Sequence, residues 1–227
     1  MLRILALFVV LVMPGAAAAA SLADFSNRDV VAALKEALTK SSHAAVSRLG
    51  VENGFFGDER VKIPLPDSLK RAERVMRSIG MGKQADDLLL RMNRAAEAAV
   101  PEARALLVDA VKNMSIQDAK SVLTGGDDAE TQYFRRTTSE PLAQKFLPIV
   151  RDAMNKVKLA EAYDQFAERG RRFGLVKEED ANLERYITRK ALDGLFLVIA
   201  EEEKKIRQDP VGTASSIIKK VFGALRN

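Results

Sequence analysis

The sequence contains no cysteine, no tryptophan and a single histidine, His43. Without cysteine the chain can form no disulfide, no iron–sulfur cluster and no thiol nucleophile, and one histidine cannot build a histidine-rich zinc site. His43 lies on a predicted helix, two residues from its apolar stripe, so we expect it at the surface or its boundary. These absences predict a protein with no bound metal and no cofactor.

An excess of charge of one sign is also missing. Lys and Arg together number 36 against 31 Asp and Glu, which gives a net charge of +5 over 227 residues. The basic residues are scattered among acidic ones, and the sequence has no zinc-finger or RNP-type motif, so we expect no nucleic-acid binding. With 47% hydrophobic and 30% charged residues, the composition is typical of one ordinary globular domain.

Long hydrophobic runs are absent except at the N-terminus. There Arg3 precedes an apolar run over residues 4–13, a Pro-Gly break and a run of alanines that ends at Ala20. This pattern is typical of a secretory signal peptide, and the run is far shorter than the roughly 20 residues that span a bilayer. The sequence predicts cleavage after Ala20 and an exported protein, periplasmic or alternatively secreted. Residues 21–227 would form a single domain without a transmembrane span.

Within that domain, apolar residues recur at spacings of three and four, and alternating runs are almost absent. This periodicity predicts an all-α, single-domain multi-helix bundle. We expect one helix to begin at residues 139–141, where Pro141 takes an early position, and to be kinked at Pro148. The helical spacing of apolar residues is interrupted at residues 51–66, where Asn, Gly and Pro predict a long extended loop.

That loop carries several apolar side chains, which either bury against the body of the protein or contact a partner. They are Phe55, Phe56, Val61, Ile63 and Leu65. The last residues, after Pro210, form a short basic amphipathic helix, which either docks on the body or weakly contacts an anionic membrane surface.

The segment that begins at Leu183 is apolar nearly all round in its middle, which predicts the central helix of the bundle. Gly194 lowers the helix propensity there by about 1 kcal/mol relative to alanine, so we expect another helix to pack closely against it. Asp193 is expected to be buried beside that contact. The acidic run at residues 201–203, followed by two lysines, predicts a solvated face with i,i+4 pairs.

Residues 127–136 form the densest cluster of polar and aromatic side chains. On a helix that begins near Asp127, carboxylates and a guanidinium could line one pocket. Alternatively, the acids cap the first helical turn, because they complement its free N–H groups and its dipole. The acids lack the ligand spacing of an EF-hand, so no metal site is assigned. The candidate ligand-binding residues are Asp127, Asp128, Glu130, Tyr133 and Arg135.

Three separated motifs are recognisable in the mature chain. They are VKIPLP at residues 61–66, GGDDA at 125–129 with TQYFR at 131–135, and KALDGLF at 190–196 with EEE at 201–203. Together they resemble the family called domain of unknown function 4197, over nearly the whole mature chain. The resemblance implies a bacterial, exported and helical protein, and it brings no reaction, ligand or catalytic residue with it.

No catalytic constellation is present, so we favour a non-catalytic envelope protein. It would bind a small or lipid-like ligand, or a protein partner, through a groove between helices. The alternative is a hydrolase that uses Asp127, Asp128 and Glu130 as acid/base carboxylates, as carboxylate pairs do in glycoside hydrolysis. An apolar cavity would favour the binding protein, and carboxylates facing each other across an open cleft would favour the hydrolase.

Overall fold

The computed structural model describes residues 26–126, 129–172, 182–209 and 215–224, and every regular element in these ranges is a helix. The all-α prediction is therefore confirmed. The predicted signal peptide lies outside the described residues. The helices are α1 (Asn27–Leu49), α2 (Asp67–Ser78), α3 (Lys83–Ala99), α4 (Ala103–Lys112), α5 (Ile116–Thr124), α6 (Ala129–Lys156), α7 (Leu159–Arg172), α8 (Leu183–Gln208) and α9 (Ser216–Ala224), with a 3₁₀ turn at Val100–Glu102 between α3 and α4.

Side-chain caps explain where several helices begin. The hydroxyl of Ser26 accepts the N–H of Asp29 at 3.2 Å, and the hydroxyl of Ser115 accepts that of Asp118 at 3.1 Å. The amide oxygen of Asn182 accepts the N–H of Arg185 at 3.0 Å at the start of α8. Each cap satisfies a backbone donor that has no partner inside the helix. None of the helices in the described ranges is long and apolar enough to cross a membrane.

Helix α8 lies at the centre of the bundle, in contact with α1, α3 and α6, as the sequence predicts. It runs antiparallel to α6, as the pairing of Arg151 near the end of α6 with Glu184 at the start of α8 at 2.7 Å shows. At the other end Arg135 lies 3.5 Å from Asp193. The two helices therefore face each other along several turns.

The predicted helix start at residues 139–141 is wrong, because α6 runs without interruption from Ala129 to Lys156 and contains both Pro141 and Pro148. A proline inside a helix removes a backbone hydrogen bond and crowds the preceding turn. Packing on both sides compensates for this loss, since Phe134 before the prolines and Phe146 between them are fully buried. The bend at Pro148 stays a prediction.

Residues 51–66, which we call the arm, lie outside the helices and turn most of their apolar side chains inward. Phe55, Val61, Ile63 and Leu65 are buried, so the first of the two alternatives, packing on the body of the protein, holds for these four side chains. Phe56 is half-buried, with the ammonium of Lys62 4.7 Å from its ring centroid.

Two polar side chains of α3 hold the backbone of the arm. One carboxylate oxygen of Glu97 accepts the N–H groups of Phe55 and Phe56, both at 3.0 Å. Asn93 accepts the N–H of Ile63 at 2.8 Å and donates to its carbonyl at 3.0 Å. Both side chains are buried, so they satisfy backbone groups that water cannot reach.

The close contact expected at Gly194 exists, but its partner is the arm and not a helix. A Cβ atom on Gly194 would lie 2.8 Å from Cε1 of Phe55 and 3.3 Å from Cβ of Val61. The expectation that Asp193 is buried beside this contact is wrong. Its side chain is 46% exposed, because it points toward Arg135 of α6 and away from the arm.

The prediction that residues 201–203 form a solvated face is also wrong. Glu203 is only 2% exposed and pairs with Arg207 at 2.7 Å. Glu201 pairs with Arg48 of α1 at 3.0 Å and with Arg60 of the arm at 2.6 Å. Helical spacing accounts for the i,i+4 pair of Glu203 and Arg207 but not for Arg48 and Arg60, which tie the far half of α8 to α1 and the arm.

Helix α9 docks on α1, with Ile218 and Val221 buried. The hydroxyl of Ser215, just before α9, donates to Glu36 of α1 at 2.8 Å. These two apolar residues of the amphipathic segment therefore face the body of the protein. Contact of this helix with a membrane surface stays a prediction.

Replacement of Gly194 by leucine is expected to lower the free energy of unfolding by about 1–3 kcal/mol or more, because the side chain would collide with the buried ring of Phe55. Gly82→Ala is the control, since its new Cβ would approach the side chain of Arg77 no closer than 3.3 Å and its Cα at 3.8 Å. It should change stability by less than about 0.5 kcal/mol in urea denaturation. Equal effects of the two substitutions would contradict the packing described here.

Candidate functional site

The acidic half of the candidate cluster falls largely outside the described structure. Asp127 and Asp128 lie outside the described residues, and Glu130 stands in the first turn of α6 without a described side chain. Whether these acids cap α6 or line a site therefore stays a prediction. Among the described residues, no group of three His, Asp or Glu side chains is placed to hold a metal ion.

The structure separates the other two candidates, Tyr133 and Arg135. Residues two apart on a helix point about 200° away from each other, so they face opposite neighbours. Tyr133 is 5% exposed and lines a cavity of about 400 Å³ with Asp118 of α5 and Lys145 of α6. Arg135 is exposed and lines a different cavity, against α8. Tyr133 and Arg135 therefore do not share a pocket.

Burial raises the pKa of the Tyr133 phenol above its ordinary value of 10.0, and the carboxylate of Asp118 raises it further. Burial also raises the pKa of Tyr186 in α8, whose hydroxyl donates to the carbonyl of Pro64 in the arm at 3.0 Å. Both phenols are thereby held in the neutral form to a higher pH than in an unfolded chain.

The larger cavity is an open groove of about 610 Å³ between α6 and α8. Its lining residues recur at helical spacing on both helices, because each helix turns one stripe toward the other. The α6 side consists of Arg135, Ser139, Glu140, Ala143, Gln144 and Leu147, and the α8 side of Arg185, Thr188, Arg189, Leu192, Asp193 and Phe196. We call this cavity the α6–α8 groove.

The α6–α8 groove has an apolar floor and a charged rim. Leu192 and Phe196 are buried in the floor, while Arg185 and Arg189 are exposed at the rim. The floor is apolar because Leu192 and Phe196 also belong to the bundle core. A groove of this kind can cover the apolar part of a small molecule and offer charge to its polar part.

One end of the groove is closed by interactions within the protein. The guanidinium of Arg135 lies 3.5 Å from the carboxylate of Asp193. It also lies 5.3 Å from the ring centroid of Phe196, within the range of a cation–π interaction. Arg135, one of the candidate residues, therefore belongs to the groove, but it does so with α8 and not with Tyr133.

Thr188 lies in the floor of the groove and is only 3% exposed. Among the described residues, its hydroxyl oxygen has no hydrogen-bond partner. Burying a hydroxyl without a partner costs about 1–3 kcal/mol in proteins. The protein therefore carries an unsatisfied polar group in the one wall of the groove that is otherwise packed into the core.

The α8 side of the groove was not predicted from the sequence, although the sequence contains a signal for it. Arg185, Thr188 and Arg189 extend the apolar stripe of α8 at spacings of three and four, so polar residues stand where core residues are expected. The cluster at residues 127–136 is the more prominent candidate in the sequence, because its charged residues are close together along the chain.

Replacement of Thr188 by valine is expected to raise the free energy of unfolding by about 1 kcal/mol, because the methyl group replaces a buried hydroxyl that has no partner. Thr131→Val is the matched control, since Thr131 of α6 is also buried with an unpartnered hydroxyl but does not line the groove. Urea denaturation should show a similar gain in both variants. A loss of stability in Thr188→Val would mean that its hydroxyl is satisfied in the folded protein.

The raised pKa of Tyr133 predicts a loss of stability in alkali. Below a pH of about 10 the phenol is neutral in both states, whereas above it the unfolded chain ionises more readily, so the free energy of unfolding falls as pH rises. In Tyr133→Phe this fall should be shallower between pH 9 and 11 or so. Identical pH profiles for Tyr133→Phe and the unaltered protein would contradict the raised pKa of Tyr133.

Tyr186→Phe is expected to lose stability at neutral pH, because its hydrogen bond to the carbonyl of Pro64 is removed.

Comparison with known proteins gives one match. A family model described as "Protein of unknown function (DUF4197)" matches residues 24–223. No curated protein and no solved structure matches the chain. Because the family match covers nearly the whole chain, from before α1 into the last turn of α9, the protein belongs to the DUF4197 family.

Proposed function

We propose that this protein is an exported, non-catalytic binding protein that holds a small amphipathic ligand in the α6–α8 groove. The observation that carries the proposal is the combination of an apolar floor with a rim of arginines in one cavity. Binding sites for small molecules share this design, in which apolar walls supply contact area and a few polar groups fix the orientation of the ligand.

The size of the groove supports a small-molecule ligand. Its volume of about 610 Å³ lies within the range of roughly 300–1,000 Å³ that is common for such sites. The groove is open along one side, so a flexible chain can enter without a large movement of α6 or α8. The buried neighbours Leu192 and Phe196 belong to the continuous core, which gives the floor a fixed shape.

The placement in the cell envelope rests on the N-terminal sequence. The charged residue Arg3, the short apolar run and the alanines before Ser21 are the features that secretion machinery recognises. Fractionation of the native host followed by N-terminal sequencing tests this part. A product that begins at Ser21 in the periplasmic fraction supports export, and an uncleaved cytoplasmic product overturns it.

Ligand binding is tested by native mass spectrometry with lipid extraction on protein purified from its own envelope. We expect a bound small molecule in the unaltered protein. Ala143→Phe should lose it with little change in melting temperature, because the larger side chain would occupy the half-buried α6 wall of the groove. Ala44→Phe, on an exposed position of α1, is the matched control and should retain the ligand.

Two outcomes would overturn the groove as the binding site: protein that leaves the envelope without a bound molecule, or equal retention in both alanine variants. The acidic cluster is tested on the same samples by Asp127→Asn and Glu130→Gln. If the acids only cap α6, these substitutions should lower the free energy of unfolding by about 0.5–2 kcal/mol and leave the ligand in place. Loss of the ligand from a variant of unchanged stability would move the site to those acids.

A further inference from the structure

The geometry points to the ligand's chemical class: a single-chain carboxylate, whose head group lies against Arg185 and Arg189 and whose hydrocarbon chain follows Leu192 toward Phe196. This inference rests on the proposed function, because it assigns the ligand of the same groove. Three observations carry it: the charges of the rim, the direction of the apolar floor and the unsatisfied hydroxyl of Thr188.

The charges of the rim do not cancel. The groove is lined by three arginines and two acidic residues. Arg135 and Asp193 are paired with each other, and the carboxylate of Glu140 accepts a hydrogen bond from Gln144 at 3.1 Å. Arg185 and Arg189 form no ion pair with any residue in the described part of the chain. The described lining residues therefore carry one net positive charge, which matches one carboxylate and not a doubly charged head group.

The floor has a direction that matches the charge. Arg185 and Arg189 stand on the first two turns of α8, and Leu192 and Phe196 follow one and two turns later. With a rise of about 1.5 Å per residue, the stripe from Arg185 to Phe196 extends over about 16 Å. Because Arg135 and Asp193 neutralise each other at the far end, the unpaired positive charge lies at one end only. An anionic head and an apolar tail fit this arrangement in one orientation.

Thr188 stands between the two arginines and the apolar floor, one turn before Leu192. Its hydroxyl has no partner among the described residues, although the side chain lines the groove. Rotation about χ1 exchanges the methyl and hydroxyl groups of a threonine, and helical threonines adopt more than one such rotamer. A carboxylate held by Arg185 and Arg189 would accept the O–H of Thr188, which would satisfy the buried donor and complete the head-group site.

The test is isothermal titration of delipidated protein with four probes that share one hydrocarbon chain: dodecanoate, dodecyl phosphate, dodecanol and dodecyltrimethylammonium. The charged probes are kept below their micellar concentrations and dodecanol below its solubility limit, with protein titrated into the probe. We expect dodecanoate to bind at least about tenfold more tightly than dodecanol, since charge-assisted hydrogen bonds to guanidinium contribute the difference. Dodecyltrimethylammonium should bind most weakly. Dodecyl phosphate distinguishes a phosphate head group from a carboxylate and should not exceed dodecanoate.

Paired variants separate the head group from the tail. Arg185→Gln/Arg189→Gln should weaken dodecanoate binding at least about tenfold and leave dodecanol binding unchanged. Arg185→Lys/Arg189→Lys should retain part of the affinity, because the charge remains while the forked geometry is lost. Arg74→Gln/Arg104→Gln is the control for net charge, since these exposed arginines of α2 and α4 do not line the groove. It should not change the affinity.

The hydroxyl is tested separately. Thr188→Val should weaken dodecanoate binding several-fold without affecting dodecanol, whereas Thr131→Val should affect neither probe. Equal affinity for dodecanoate and dodecanol, or tighter binding of dodecyl phosphate, would overturn the carboxylate assignment and leave the proposed function standing. Failure of all four probes to bind, together with protein that leaves the envelope without a bound molecule, would overturn both.

Discussion

The rest of the structure depends on the hydrogen bonds between two buried side chains of α3, Asn93 and Glu97, and the backbone of the arm. The arm crosses the core without a helix or sheet to pair its N–H and C=O groups, and each unpaired buried group would cost free energy comparable to a lost hydrogen bond. Glu97 and Asn93 satisfy four of these groups with buried side chains: the N–H groups of Phe55, Phe56 and Ile63 and the carbonyl of Ile63. Only with those bonds in place can the apolar side chains of an irregular segment be buried as deeply as those of a helix.

The arm in turn positions α8. Phe55 packs where Gly194 leaves room for it, Arg60 pairs with Glu201 at 2.6 Å, and Tyr186 donates to Pro64 at 3.0 Å. These contacts fix α8 from one side over most of its length. The opposite side of the same helix forms the wall of the α6–α8 groove, with Thr188, Leu192 and Phe196. Packing on the arm side of α8 therefore fixes the position of the helix that forms this wall. The two sides meet at Arg189, whose guanidinium lies 5.8 Å from the ring centroid of Tyr186.

Much of the fold follows from periodicity and local chemistry, and much of the site does not. The apolar spacing predicts the helices, and the caps at Ser26 and Ser115 are visible in the sequence because they act within three residues. The pairing of Glu201 with Arg48 and the contact between Gly194 and Phe55 join residues far apart in the chain, and spacing cannot specify them. Asn93 and Glu97 belong to the same class, since a polar residue beside an apolar stripe usually faces solvent. Arg135 was found as a candidate, but its partner Asp193 lies on another helix.

The acidic cluster and the α6–α8 groove are candidate sites of two different kinds. A dense run of charge along the chain has a structural explanation in the start of a helix, where acids complement free N–H groups. The hydroxyl of Thr188 has no hydrogen-bond partner among the described residues, and burial of such a group costs free energy. Thr131 shares this feature outside the groove, so an unsatisfied hydroxyl alone does not identify a site. Thr188, however, lies in one apolar groove beside Arg185 and Arg189, which form no ion pair within the described residues, although Arg189 contacts the ring of Tyr186. That coincidence, more than the volume of the groove, supports a binding site there.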